Sequence, residues 1–378
     1  MGKKVSNLMV ALLVPLLASC SLFGGSATDS SADSSAVSSV SSSVSSSTDS
    51  GSASSSSSEP ADAATIEAFY PFSASVFTKY LGEGNEYASF TVYPQYIEGN
   101  RMQITSNNGG TQIVTVLELA DGELREVFTR PETYFRENML EKTASGDAAN
   151  QLDILLKEPL EVGNSWMNAS GVPSEITNLT AQIETPMGNF EALEVTTTYE
   201  ASTTKDYYVK DMGLVKRVTD LGDDMVVSSS LEARNENVPE MQQLRVFYPD
   251  GDLMGLDATS IALSYATNDV TRTILAEALK NVPDAPGGSL IGPNVSINSL
   301  SLSDDGRVYV DFSQEFVSEM NAGTSAESLI LQGVVNTIGE YYGVQEVYLT
   351  VAGNPYESGH ILMAEGAYFT VDYTNVNE

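Results

Sequence analysis

Asp250, Asp252 and Asp257 crowd into "DGDLMGLD", and closely spaced carboxylates are what a hard cation such as calcium would use. An EF-hand loop needs oxygen ligands at five or more fixed positions, which this segment does not supply, so Asp250-Gly251 reads as a turn after a strand. Asp304-Asp305-Gly306 reads in the same way as a hairpin turn. Asp311, in "VYVDFS", falls where a strand passes into a helix, and the geometry of that junction accounts for an acid there. The chain has 51 acidic residues, so chance pairs abound, and glycoside hydrolysis needs only two carboxyls about 5–9.5 Å apart. His360 is the single histidine. A three-histidine zinc site or an HExxH helix needs more imidazoles, and nothing around His360 looks like a triad, so it reads as structural or surface. No glycine-rich phosphate loop is present. The lone tryptophan, Trp166 in "VGNSWM", reads as core in preference to a pocket wall. No catalytic, cofactor-binding or metal-ligating residue is therefore assigned, and no cofactor is expected.

The remaining reactive side chain is Cys20, the only cysteine in 378 residues. Disulfides cannot staple the fold, and thiol-based metal or redox chemistry has no second sulfur to work with. Lys3 and Lys4 precede an apolar run, Leu8 to Leu17, which is too short to span a bilayer and has the layout of a secretory signal over residues 1–19. Leu17-Ala18-Ser19-Cys20 resembles the lipobox of bacterial lipoproteins, which implies acylation of the Cys20 sulfur and a lipid anchor on the extracytoplasmic face of the cell membrane. From Ser26 to Ser58, 20 of 33 residues are serine, too little apolar surface to offset chain entropy, so residues 20–60 are expected to be a disordered tether. Its r.m.s. reach is on the order of 35 Å. The formal net charge of -33 repels phosphate backbones, so nucleic acid is not a partner.

The rest of the chain divides by periodicity. From residue 61 to 235 short alternating runs such as Ala88, Phe90 and Val92 are separated by turn chemistry (Glu98-Gly99-Asn100, Asp121-Gly122, Asp211-Met212-Gly213), which predicts a mostly antiparallel β domain. A short helix is expected near Glu132 to Leu140. The polar, aperiodic stretch Asn235 to Met241 marks the boundary. Residues 242–375 then mix periods. "LRVFY" and Ser260 to Tyr265 read as strands, and Asp269 as N-cap of a helix bearing Ile274, Leu275, Ala278 and Leu279. "VSINSLSL" and "RVYVDF" form a hairpin. Ser313 caps a short helix, and Thr324 with Glu327 makes a capping box before "SLILQGVVNTIGEYY", which ends at Gly343 ahead of the strand "QEVYLTV". The fold class expected is α+β, with helices on one face of a sheet in the second domain.

"LRVFYPDGD", "RTILAEAL", "VYVDFSQEF" and "SLILQGVVNTIGEYYGVQEVYLTVAG", in that order over Leu244 to Tyr373, resemble the GerMN domain of sporulation and germination proteins of the GerM type. The chain carries one such domain where GerM carries two. The resemblance implies an extracytoplasmic module, similar in fold to ring-building domains of secretion systems, that is not an enzyme and works through an envelope protein partner. Peptidoglycan or another wall polymer is the alternative ligand, and a carboxylate-dependent hydrolase the third reading.

Overall fold

The computed structural model describes residues 64–144 and 152–377. The signal, Cys20 and the serine tether lie outside the described residues. A single helical turn, α1 (Ile66–Phe69), leads into twelve antiparallel strands: β1 (Val76–Glu83), β2 (Phe90–Glu98), β3 (Arg101–Asn107), β4 (Gln112–Ala120), β5 (Glu123–Arg130), β6 (Ile154–Lys157), β7 (Ser165–Met167), β8 (Pro173–Thr185), β9 (Gly188–Thr198), β10 (Thr203–Val209), β11 (Gly213–Asp220) and β12 (Val226–Glu236). They form one sheet in the order β6-β5-β4-β3-β2-β1-β12-β11-β10-β9-β8-β7. The strands follow from alternation, and the turns from residues that tolerate positive φ: Asp121 (+55°) and Gly122 (+70°) join β4 to β5 with the backbone twist a two-residue hairpin requires. The edge strands β6 and β7 are neighbours in sequence. They approach each other closely enough for the Trp166 indole N–H to donate to the Ile154 carbonyl at 2.8 Å. The sheet thus curls nearly into a barrel, with Trp166 buried beside Met102, Leu117, Leu124, Ile176, Leu193 and Tyr208.

No helix forms at Glu132 to Leu140. Phe135, Arg136, Met139 and Leu140 are buried, a spacing that mimics one helical face, yet the backbone groups of this strap bond elsewhere. The N–H of Thr133 donates to the Gln112 carbonyl (3.0 Å), that of Arg136 to the Tyr341 hydroxyl (3.0 Å) and that of Met139 to Gln103 Oε1 (2.7 Å). Tertiary partners, several of them distant in sequence, take the bonds a local helix would have used.

The second half opens with the hairpin β13 (Glu240–Pro249) and β14 (Leu256–Tyr265), so the stretch Asn235 to Met241 lies across the end of β12 and the start of β13. Helix α2 (Thr271–Lys280) follows, then the hairpin β15 (Ile297–Leu302) and β16 (Val308–Phe312), the short α3 (Glu315–Ser318), α4 (Thr324–Tyr342) and β17 (Glu346–Val351), which runs parallel to β16. Two-residue strands β18 (Asn354–Pro355) and β19 (Phe369–Thr370) pair with β17. The described residues are mostly antiparallel β, and among them helices of more than one turn are confined to this half. The three side-chain caps expected from the sequence are replaced, Ser313 by Gln314 at the N-cap position of α3. Val270 holds the N-cap position of α2 while Asp269 Oδ2 accepts from the Ala266 N–H, and Gly323 is the N-cap of α4, which puts Thr324 inside the helix. Gly343, at φ +69°, does cap the C-terminus of α4 in the left-handed conformation. Helix α4 is approached on two sides: a Cβ on Gly333 would lie 2.5 Å from the Phe247 carbonyl oxygen, and one on Gly339 would lie 2.2 Å from Val371 Cγ2.

Candidate functional site

The acids singled out in the sequence lie in the second half, and Asp250, Asp257, Asp305 and Asp311 are engaged in hydrogen bonds. Asp250 Oδ1 accepts from the N–H groups of Asp252 (3.1 Å) and Met254 (2.9 Å), closing the β13–β14 turn. Asp257 Oδ1 accepts from the Asn377 amide at 2.8 Å, and the same amide nitrogen lies 3.4 Å from Asp250 Oδ2. Asp305 accepts from Arg307 N–H (3.1 Å) and the Tyr309 hydroxyl (2.9 Å), which hold its carboxyl below the usual range. Asp311 fastens three segments: Oδ1 accepts from the Thr350 hydroxyl (2.7 Å) and Gly353 N–H (2.8 Å), and Oδ2 from the Asn298 amide (2.8 Å). Burial pushes its pKa up, but these donors outweigh it and leave the carboxyl lowered. His360 is exposed on the loop after β18. Among the described residues no three His, Cys, Asp or Glu side chains gather as a metal site.

The residue that sequence reasoning misassigned is Glu327. Only 3% exposed, it turns from the helix start toward that same loop, accepting from the Tyr356 hydroxyl at 2.9 Å and from Ser358 Oγ. Burial first, and then the hydrogen bond to Glu327, raise the Tyr356 pKa. The segment from Tyr356 to Tyr368, which carries His360 and the exposed Leu362, is thereby pinned to α4.

The other charged residue brought into the interior is Arg136, wholly buried where the two halves meet. Its Nη1 donates to Glu240 Oε2 (2.8 Å) and its Nη2 to the carbonyls of Gln95 (2.7 Å) and Ala266 (2.9 Å). The guanidinium carbon lies 4.6 Å from the Tyr96 ring centre and 4.9 Å from that of Tyr265. Gln95 and Gln103 extend the network, Gln95 donating to Glu240 and Gln103 to both Gln95 Oε1 and the Glu137 carbonyl. Nothing in the sequence pattern of the strap signals this. Around the network the Tyr265–Asp269 turn clasps β2: Asn268 Oδ1 accepts from the Ile97 N–H (2.8 Å) and Thr267 Oγ1 donates to the Pro94 carbonyl (2.6 Å). Beside it opens a cleft of about 500 Å³, lined by groups from both halves, among them Glu98, Asn138, Asn268, Val270 and Arg272. It joins amides, both signs of charge and the half-exposed Val270, a surface suited to a peptide or polymer chain.

Residues 245–357 match the family Germane, described as sporulation and spore germination. No curated protein gives a significant match. Among solved structures, the first GerMN domain of the sporulation protein GerM from Bacillus subtilis aligns at 18% identity over 32% of this chain and 94% of that one, with a TM-score of 0.23. The tandem GerMN domains of the same protein align at 18% identity over 33% of this chain and 44% of that one (TM-score 0.24). A protein classed as a candidate lipoprotein from Parabacteroides distasonis aligns at 12% identity over 44% of this chain and 98% of that one (TM-score 0.28).

Proposed function

We propose, on the premise that residues 245–357 form a domain of the GerM type, that this chain is a lipid-anchored module on the extracytoplasmic face of the cell membrane that acts by contacting an envelope protein and not by transforming a substrate. The family match carries the reading. The acyl group on Cys20 anchors the chain, the serine tether spaces it, and the cleft at the junction presents the contact surface. Capture from detergent-extracted membranes with the chain lacking residues 1–60 should retrieve a discrete protein, and Val270→Asp, at an exposed N-cap position where Asp is favoured, should abolish retrieval without unfolding the bait. Recovery of nothing, or recovery indifferent to Val270, would sink the reading. A wall polymer is the second reading, supported by the amide of Asn138 beside Glu98 and Arg272. Sedimentation with purified cell walls tests it, and a wholly soluble protein would end it.

A further inference from the structure

The sheet of the second half ends at β15. In the order β15-β16-β17-β18 this strand pairs with β16 alone, so its other side is an edge. Backbone groups on an antiparallel strand alternate between its two sides, and the hairpin bond from Ser303 N–H to the Arg307 carbonyl (2.9 Å) sets the alternation here. Ser301 and Ser299, opposite Tyr309 and Asp311, turn their N–H and carbonyl groups toward β16, whereas Leu302 and Leu300 turn theirs outward. Two side-chain contacts agree with that reading. Leu302 N–H donates to Glu137 Oε2 (3.1 Å), and beyond the bulge between Ile297 and Ser299 the Ile297 carbonyl accepts from Arg272 Nη1 (3.2 Å). Between these two plugs the N–H and carbonyl of Leu300 have no partner among the described residues.

Open edges are ordinarily guarded by charge, by proline or by a covering element. No residue from Ile297 to Leu302 is charged or is proline, and Leu300 itself lines the cleft of about 500 Å³ at the joint. The free rung calls for one donor and one acceptor, which an extended polypeptide presents along one side at every second residue. Tyr96, Leu140 and Tyr342 line the cleft with Leu300 and suit an apolar side chain. Of the charged groups in the lining, Arg136 is engaged by Glu240, so Glu98 and Glu137 outnumber Arg272 and favour a basic side chain. The same acids, on a chain of net charge -33, oppose a second copy of the protein at this edge.

We propose that the edge of β15 receives an extended segment of a partner protein as an added strand, with an apolar side chain over Leu300 and a lysine or arginine toward Glu98 and Glu137. The proposal rests on the protein-contact reading of this cleft and specifies how the contact is made. The backbone of the segment bonds the Leu300 N–H and carbonyl. About three residues, at about 3.3 Å each, fill the edge between the Arg272 and Glu137 plugs.

The probe is a phage-displayed library of random heptapeptides panned against the full chain, the best binder then being synthesised and titrated. Enriched peptides are expected to carry Lys or Arg beside an apolar residue, and to bind at least tenfold more weakly to Leu300→Pro. Proline removes only the outward N–H and is tolerated at a sheet edge. Glu98→Lys, at an exposed position, should weaken binding at least threefold. Should Leu300→Pro fail to fold in a thermal melt, amide exchange in the unaltered chain decides: saturating peptide should slow the Leu300 N–H at least tenfold, and more than the N–H of Ser299 or Ser301. No enriched peptide, undiminished binding by a folded Leu300→Pro, or an unprotected Leu300 amide overturns the proposal. Dimerisation of the chain abolished by Leu300→Pro would assign the edge to a second copy and overturn it as well. Peptide binding that falls with Val270→Asp but not with Leu300→Pro sinks the added strand alone, and capture from membranes, which plays no part in this measurement, still decides the protein-contact reading.

Discussion

Arg136 and Glu240 are buried ions whose partners come from opposite halves of the chain, and removing one strands the other. Arg136→Ala should therefore cost about 3–5 kcal/mol in urea or guanidinium unfolding. Arg136→Lys should recover little of it, because an ammonium cannot reach Glu240 and two carbonyls while lying flat between Tyr96 and Tyr265. Glu126 makes stability depend on pH. Folded, it keeps its proton to about 8; unfolded, it releases it near its ordinary value of 4.5. The folded state thus binds more protons in that window, so this group's contribution makes stability fall as pH rises from about 4.5 to 8 and level off above. Glu126→Gln should flatten that slope in unfolding curves taken across the range, and an unchanged slope would show that the carboxyl is not the source. Glu126 did not stand out in the sequence, since a charged side chain in an alternating run reads as solvent-facing until the opposing strand is known, and Arg136 fell in a stretch expected to be helical. Glu327 was visible but misread, because Thr324 and Glu327 have capping-box spacing while the N-cap lies one residue earlier, at Gly323.

At the level of elements, alternation and turn chemistry made the hairpins β4–β5, β10–β11 and β15–β16 legible, together with α2, α4 and the Gly343 cap. The strap from Thr133 to Leu140 was not, because its burial pattern repeats like a helix while its hydrogen bonds are tertiary. Helix α4 allows a sharp test. Gly333→Ala gains about 1 kcal/mol in helix propensity, yet its Cβ would meet a backbone carbonyl at 2.5 Å, so a net loss of about 1–3 kcal/mol is expected in denaturant titrations. Gly333 would be an ordinary helix glycine if the variant were stabilised. Glu327→Ala, by freeing Tyr356 and Ser358, should raise hydrogen exchange between residues 356 and 368 at least tenfold while leaving β1 to β12 protected as before.

Across the whole molecule the composition break near Asn235 was readable, whereas the joint was not. Val114, Val116, Phe135 and Met139 of the first half share one core with Val246, Leu275, Val310 and Ile338 of the second. Such contacts are long-range and leave no local pattern. They predict a single cooperative transition in calorimetry for the chain from residue 61 onward, with calorimetric and van't Hoff enthalpies equal; two separated peaks would show that the halves melt apart. The place of β1 has a mechanical consequence. It lies mid-sheet, bonded to β12 on one side and β2 on the other, and it is the first strand of the fold. Tension arriving along the chain from its amino-terminal side must shear two ladders at once, where an edge strand would unzip bond by bond. A pull applied there loads both ladders together, so the fold resists it along its whole width before the first strand leaves the sheet.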